Sequence, residues 1–358
     1  MTKRIDPPLT VETQRSLRSL RRNSAIALIL VLLLCAGGFV WLHPFRGERA
    51  LLAVTYDASR EFFAEIKEAY ETTAPDAAGD GIQMFHAGSV RQAHNIISGL
   101  VADVALLASP PDLDAVASKG GPLAPSWRQR LPHGSSPYTS TIVFLVRRGN
   151  PKQVRDWTDL SRPDVAVVAP NPSVSGAGRL AYLAYRGAAL ARHDGDEGAA
   201  HWSTVELFLR VDSPAQGARQ VLHRFAQQAT GDVLLTWENE AHEAARGLYP
   251  GSFEIVYPSS SVLAEPSVAV LDRFVDTRGT RPAAEQLVAF LFSDEGQLIS
   301  ARRYLRPRSP AVARSAALAD IELFTMEERF GGWSAAWTAH FAPGGSYAQI
   351  EQMRRLRR

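Results

Sequence analysis

Five stretches of this chain place small or polar residues where an apolar run ends or a helix begins. Asp57 follows Leu51–Tyr56, and His86-Ala87-Gly88-Ser89 follows Ile82–Phe85. Ser175-Gly176-Ala177 stands after Val165–Ala169 and two prolines, Gly217-Ala218-Arg219 precedes a helical pattern near Gln220, and Thr236-Trp237 ends the run from Asp232. Hydroxyls, an indole N–H and peptide N–H groups at helix starts can all donate hydrogen bonds. A helix N-terminus adds partial positive charge to its free N–H groups. A fully ionised oxyanion such as sulfate only accepts, so donors without acceptors are its complement. A protonated anion must also donate, and such a set would reject it. Taken alone, the Ser175 turn also fits an ordinary serine N-cap.

Other chemistry is less well supplied. Glu238 and His242 lie four apart, as a metal pair on one helix face would, but nothing at ligand spacing completes it, and a surface helix pair is the simpler reading. Ser89 or Ser175 with His86 would make a nucleophile and base, yet neither serine stands in a nucleophile-elbow pattern. Cys35 is the single cysteine, which leaves no disulfide and no thiol-dependent catalyst after it.

The elements that must position these groups alternate. Leu51–Tyr56, Ile82–Phe85, Val101–Leu107, Thr141–Val146, Val165–Ala169, Asp232–Thr236 and Phe253–Tyr257 read as strands. Helical patterns follow around Phe62–Tyr70, Ile96 and Leu180–Tyr185, and one long helix is expected near Ala283–Tyr304. Val205–Val211 fits a strand or a helix end. Ser109–Pro125 and Arg303–Arg314 read as surface connections. The alternation implies an α/β fold with mainly parallel sheets flanked by helices, and ligands then sit beyond the carboxyl ends of the strands.

Composition bounds the rest. The chain has 358 residues, 46% of them apolar, and a net charge of +2. Positive charge gathers at the two ends, with six Lys/Arg in residues 1–22 and four arginines after Met353. The body between is negative, which excludes a nucleic-acid-binding surface built on a basic face. Residues 1–23 form a basic n-region. Residues 24–42 are apolar, intermediate between a signal-peptide core and a spanning helix, so export with a cleaved signal peptide or an inner-membrane anchor is expected.

Several longer runs carry a family likeness. Val54-Thr-Tyr-Asp57-Ala-Ser-Arg-Glu-Phe62, Gly88-Ser89-Val90-Arg91-Gln92-Ala93 and Ser136–Pro151 are three of them. Gly231-Asp-Val-Leu-Leu-Thr-Trp237-Glu-Asn-Glu-Ala241, Ile255–Val270 and Phe330-Gly-Gly-Trp333 are the others. Together they resemble the bacterial periplasmic sulfate/thiosulfate-binding proteins from about Leu51 to Phe341. The resemblance implies a type II two-lobed periplasmic binding protein with crossing hinge strands near Thr141–Val146 and Phe253–Ala269. Lobe I would comprise 51–140 and 250–345, lobe II 141–249, with a basic tail over 346–358. It further implies a monomeric periplasmic receptor, not an enzyme, that closes on a dehydrated sulfate or thiosulfate and delivers it to the membrane permease subunits of an ABC importer. No cofactor, metal or nucleic acid is called for.

By motif, the ligand donors would be the Asp57 N–H, Ser89, Ser175, Gly176, Ala177, Ala218 and Trp237, with Arg91, Arg179 and Arg219 behind them. An inward Asp57 carboxylate would favour phosphate and an inward N–H alone sulfate, and the resemblance implies the second. The family's Gly-Gly-Ser-Gly-Lys, Ser-Gly-Gly and Gly-Ala-Arg-Gly read Ala87-Gly88-Ser89-Val90-Arg91, Ser175-Gly176-Ala177 and Gly217-Ala218-Arg219-Gln220 here. Alanine at 177 would be strained if that position needs positive φ. Receptors for phosphate or molybdate, and a membrane-anchored oxyanion sensor, are the alternatives.

Overall fold

The computed structural model describes residues 50–74, 80–118, 120–214 and 216–356. The basic and apolar N-terminal segments (1–23 and 24–42) lie outside the described residues. Among the described residues no helix is long and apolar enough to cross a membrane.

Among the described residues twelve strands run in chain order. They are β1 (Leu51–Tyr56), β2 (Ile82–Ala87), β3 (Val104–Leu107), β4 (Tyr138–Thr139), β5 (Ile142–Arg147) and β6 (Val167–Val168). Then come β7 (Val233–Trp237), β8 (Phe253–Val256), β9 (Ser260–Val262), β10 (Ser267–Val270), β11 (Arg306–Pro307) and β12 (Glu322–Phe324). The first four-stranded sheet has the order β10-β3-β1-β2, and the second β6-β7-β5-β8. Each sheet is flanked by helices, so the α/β expectation and the two lobes hold.

The sheets are mixed rather than mainly parallel. β1 is parallel to β2 and β3, with β10 antiparallel on β3. In the second sheet only β6 and β7 are parallel, while β5 runs antiparallel to both β7 and β8. The reason is topological. β5 enters the second sheet from the first and lies between β7 and β8, which are parallel to each other and joined by the helical segment 238–248, so it runs against both neighbours.

β5 shows how alternation builds two cores. Ile142, Phe144 and Val146 join the large central cluster. Val143 and Leu145 face the opposite side with Val221, Phe225 and Leu234. A strand buried on both faces reads as an unbroken apolar run, as this one does.

The sheets are joined by crossing segments. Thr141 Oγ1 donates to Val262 O at 2.8 Å and Ser261 Oγ to Ile142 O at 2.8 Å, tying the first two crossings together. A third crossing follows β11, which pairs with β4, and ends at β12, which pairs with β9. Behind them Glu238 receives the Arg306 guanidinium at 2.7 and 2.8 Å, and His242 stacks on Tyr304 at 4.4 Å.

Other expectations need correction. β8 pairs with β5, so a boundary at residue 250 cuts through the second sheet. Tyr182 of the long Gly176–Arg192 helix lies against Phe341 and Tyr347, which brings the C-terminal helices onto the second lobe's side. Residues 346–356 are no loose tail: Ser346–Leu356 is a helix with Tyr347 and Ile350 buried. Arg354 from it bonds Phe208 O and, at 2.7 Å, Val211 O. These carbonyls end the Glu197–Arg210 helix, which settles Val205–Val211 as mostly helical. The expected long helix near 283–304 is two, Arg281–Phe290 and Asp294–Arg302. Ser293 caps the second through Gly296 N. Ser109–Pro125 carries the buried Asp112, Leu113 and Val116 on a short helix and is not a mere surface connection. Arg303–Arg314 likewise contains β11 and the start of the third crossing.

Candidate anion-binding site

Three helices of nine residues or more begin at one place. Ser89–Ile97 follows β2 after Gly88, Gly176–Arg192 follows β6 after Ser175, and Ala218–Gln227 follows Gly217. The turn Asp57–Ser59 at the end of β1 and Trp237 at the end of β7 complete the set. Two glycines show how close the parts approach. A Cβ on Gly176 would lie 2.4 Å from Ala108 Cβ and 3.3 Å from Ser89 Cβ, and one on Gly217 would lie 2.2 Å from Asp57 Oδ2. A side chain at 176 would collide with Ala108, and one at 217 would displace the Asp57 carboxylate, so glycine at both positions lets the facing elements meet closely.

The donors differ in what they already hold. Trp237 is 0% exposed, and its Nε1 is a buried donor with no acceptor among the described residues. Such a group costs free energy unless something else accepts from it. Ser175 is the N-cap residue of its helix, yet its hydroxyl makes no capping bond. The ordinary N-cap reading therefore fails. Gly176, Ala177 and Ala218 lie in the first turns of their helices, where N–H groups have no intrahelical acceptor. Ala177 has negative φ, so alanine there carries no backbone strain.

Ser89 and Asp57 depart from expectation. The Ser89 hydroxyl donates to Asp112 Oδ2 at 2.6 Å and accepts from Ala108 N at 2.9 Å. What Ser89 has left to offer a ligand is its N–H. The Asp57 carboxylate, expected to leave only an N–H facing the cleft, turns toward Gly217 and accepts from Arg219 N at 3.3 Å. Burial raises its carboxyl, against the backbone N–H groups of Arg219, Asp57 and Ala58 and the Arg219 charge.

Two arginines near the site are committed to carboxylates. Arg179 bonds Pro172 O at 3.1 Å and Asp112 Oδ1 at 2.7 Å, and lies over the Trp337 ring at 4.5 Å. Arg219 forks onto Glu61 at 2.7 and 2.6 Å and reaches Glu240 at 2.9 Å. Glu61 is partly buried, which works to raise its carboxyl, and the Arg219 fork outweighs this and holds it low. Glu240 is fully buried, and burial pushes it up to about 7 despite Arg219, with the Asp57 charge adding to the rise. Arg91 is exposed and does not join the cluster. His86 bonds Thr55 Oγ1 rather than either serine, so no nucleophile–base pair forms. Glu238 is held by Arg306, and His242 Nε2 lies 3.0 Å from the Tyr257 hydroxyl, so the pair at 238 and 242 is a hinge contact, not the surface pair that its spacing suggested.

Over residues 51–304 the chain matches the pattern of the bacterial extracellular solute-binding proteins. It belongs to that family. It is 45% identical to a sulfate-binding protein of Escherichia coli over 306 residues, 84% of this chain and 93% of that one. It is 42% identical to a thiosulfate-binding protein of Pseudomonas aeruginosa over 321 residues, 88% of this chain and 96% of that one. A solved sulfate-binding protein from Mycobacterium tuberculosis superposes with a TM-score of 0.73 at 26% identity, covering 82% of this chain and 99% of that one. A periplasmic thiamin-binding protein shares the fold at a TM-score of 0.56 and 14% identity.

For a solute-binding protein the residues missed in the sequence matter as much as those found. Asp112 accepts from Ser89 Oγ, Ser109 Oγ and Arg179, and joins two of the three helix starts. Its signal was Ser109-Pro-Pro-Asp112, the spacing of a capping box, within a stretch read as a connection. Glu61 and Glu240 lie in ordinary helical patterns, and nothing local marks them as partners of Arg219.

Proposed function

We propose that this solute-binding protein captures a fully ionised tetrahedral oxyanion, sulfate or thiosulfate, between its lobes and acts as a receptor, not a catalyst. The observation that carries this is the orphaned Trp237 Nε1, buried at the end of β7 with its ring 5.5 Å from Tyr56, together with a Ser175 hydroxyl that makes no capping bond. Arg179 and Arg219 are already paired with carboxylates, so the grip comes from neutral donors. An unpaired buried dianion is prohibitive. Hydrogen bonds to a charged group contribute about 1.5–3 kcal/mol each, and helix dipoles add to them. Micromolar binding corresponds to about −8.2 kcal/mol, which a handful of such donors supplies. The names of the relatives support the same ligand class.

Asp57 bears on the alternative. An inward carboxylate would accept from a protonated phosphate, but this one is turned onto the Arg219 N–H. Closure carries the second sheet and the C-terminal helices toward the first. Permease subunits of an ABC importer then read the closed form at the outer face of the membrane.

Titration calorimetry with sulfate, thiosulfate, molybdate and phosphate at pH 5 and pH 8 tests the reading. Sulfate or thiosulfate is expected to bind with little change between the two, and phosphate not to bind. Preferential binding of phosphate, tracking its protonation, would overturn it.

A further inference from the structure

The Ala218–Gln227 helix starts without a cap of its own. Its N-cap residue is Gly217, extended at φ −71° and ψ 169°, with no side chain to accept from the first turn. The acceptor that does reach an N–H there comes from 162 residues away. Asp57 Oδ2, on the turn that ends β1 in the first sheet, accepts from Arg219 N at 3.3 Å. The fit is close on both sides: a methyl on Gly217 would lie 2.2 Å from that same oxygen. The carboxylate is also shielded, since Asp57 is only 7% exposed. Arg219, the residue whose N–H is taken, sends its guanidinium back to Glu61 on the Arg60–Thr73 helix. One helix start is thus held twice from the opposite lobe.

We propose that Asp57 caps the Ala218–Gln227 helix in trans, across the cleft, and so holds the closed arrangement and aims the Ala218 N–H at the ligand. The cap exists only when the lobes meet. Opening exposes an uncapped first turn on one side and, on the other, a carboxylate left with only the N–H groups of its own turn. Two roles then separate within one residue. The peptide N–H of Asp57 is a candidate ligand donor, and its side chain is a positioning group that need not touch the anion. In its ligand direction the inference rests on the oxyanion reading; in the cap itself it does not.

A side-chain substitution tests the second role while leaving the peptide N–H in place. Replacing a capping Asp by Ala costs helix stability that converts to about a 2- to 30-fold change in an equilibrium. Asn caps as well as Asp. Stopped-flow tryptophan fluorescence with sulfate is therefore expected to show koff raised about 2- to 30-fold in Asp57→Ala, with kon unchanged and Asp57→Asn near wild type. Gly217→Ala pushes the carboxylate away from the other side. It is expected to raise koff alone, and to add little in the Asp57→Ala background, where its methyl has room. Tighter sulfate binding by Asp57→Ala would mark the carboxylate as a repulsive neighbour and overturn the proposal. So would an Asn variant as impaired as the Ala one, or additive effects of the two alanine substitutions. Hydrogen exchange at the Arg219 amide reads the cap itself whenever the lobes meet, with sulfate bound or, where no oxyanion binds, in the fraction of free protein that closes. Protection present in wild type and lost in Asp57→Ala supports the cap; an Arg219 amide unprotected in sulfate-loaded wild type, or equally protected in wild type and Asp57→Ala, rejects it.

Discussion

At the scale of single residues the site works by leaving some donors idle and busying others. Ser175 makes no capping bond and Trp237 Nε1 has no acceptor among the described residues, while Ser89 spends its hydrogen on Asp112. Ser175→Ala is therefore expected to weaken sulfate binding by roughly one hydrogen bond to a charged group, about 10- to 150-fold. Ser89→Ala is expected to act through Ala108 N and Asp112 instead, lowering stability as well as affinity. Calorimetry and denaturant unfolding on the two variants separate the effects. Gly176→Ala is expected to prop the lobes apart, because its methyl would collide with Ala108 Cβ. The check is the sulfate affinity, which should fall without loss of the folded state.

At the scale of elements the helix starts are held by buried charge. Asp112 and Arg179 pair at 2.7 Å, with side chains only 2% and 9% exposed. Asp112→Asn leaves a buried guanidinium short of its partner, and breaking a buried pair costs about 3–5 kcal/mol. Urea unfolding should show that loss. Histidines set a second dependence. His86, His242 and His340 are pushed by burial to about 4. A histidine whose folded pKa lies below its unfolded 6.5 stabilises fully above that value, and the contribution is lost as pH falls from 6.5 toward 4. The midpoint of thermal unfolding should drop across that window. His340→Phe, within its aromatic surroundings of Tyr182, Phe330 and Phe341, should lessen the slope by one proton.

Much of this was legible before any coordinates. Leu51–Tyr56 and Thr141–Val146 read as strands because a run buried on both faces is apolar throughout. The donors could be read because strand–turn–helix spacing is local. What was hidden is pairing over distance. Nothing near Glu61 announces Arg219, and nothing near Asp57 says where its carboxylate turns. The single helix expected over 283–304 failed because its periodic apolar residues continue through the Ser293 cap, and only the cap breaks them.

At the scale of the molecule the fold carries two four-stranded sheets joined by crossing strands, and on the proposed reading ligand capture changes their mutual angle. Scattering from the sulfate-loaded protein is expected to give a smaller radius of gyration than from the free one. An unchanged radius with tight binding would mean the lobes do not move.

The helix Ser346–Leu356 lends itself to a use. It rides on the Glu197–Arg210 helix through Arg354, whereas Ala50 is bonded by Arg278 on the other side of the cleft. Thr72 and Gln352 are both exposed, and the sequence has one native thiol, Cys35. A Cys35→Ser, Thr72→Cys, Gln352→Cys variant carrying a donor–acceptor dye pair becomes a ruler laid across the molecule. Its energy transfer should step up with each dose of anion and fall back on dialysis, turning the protein into a reagentless gauge of whatever oxyanion it captures.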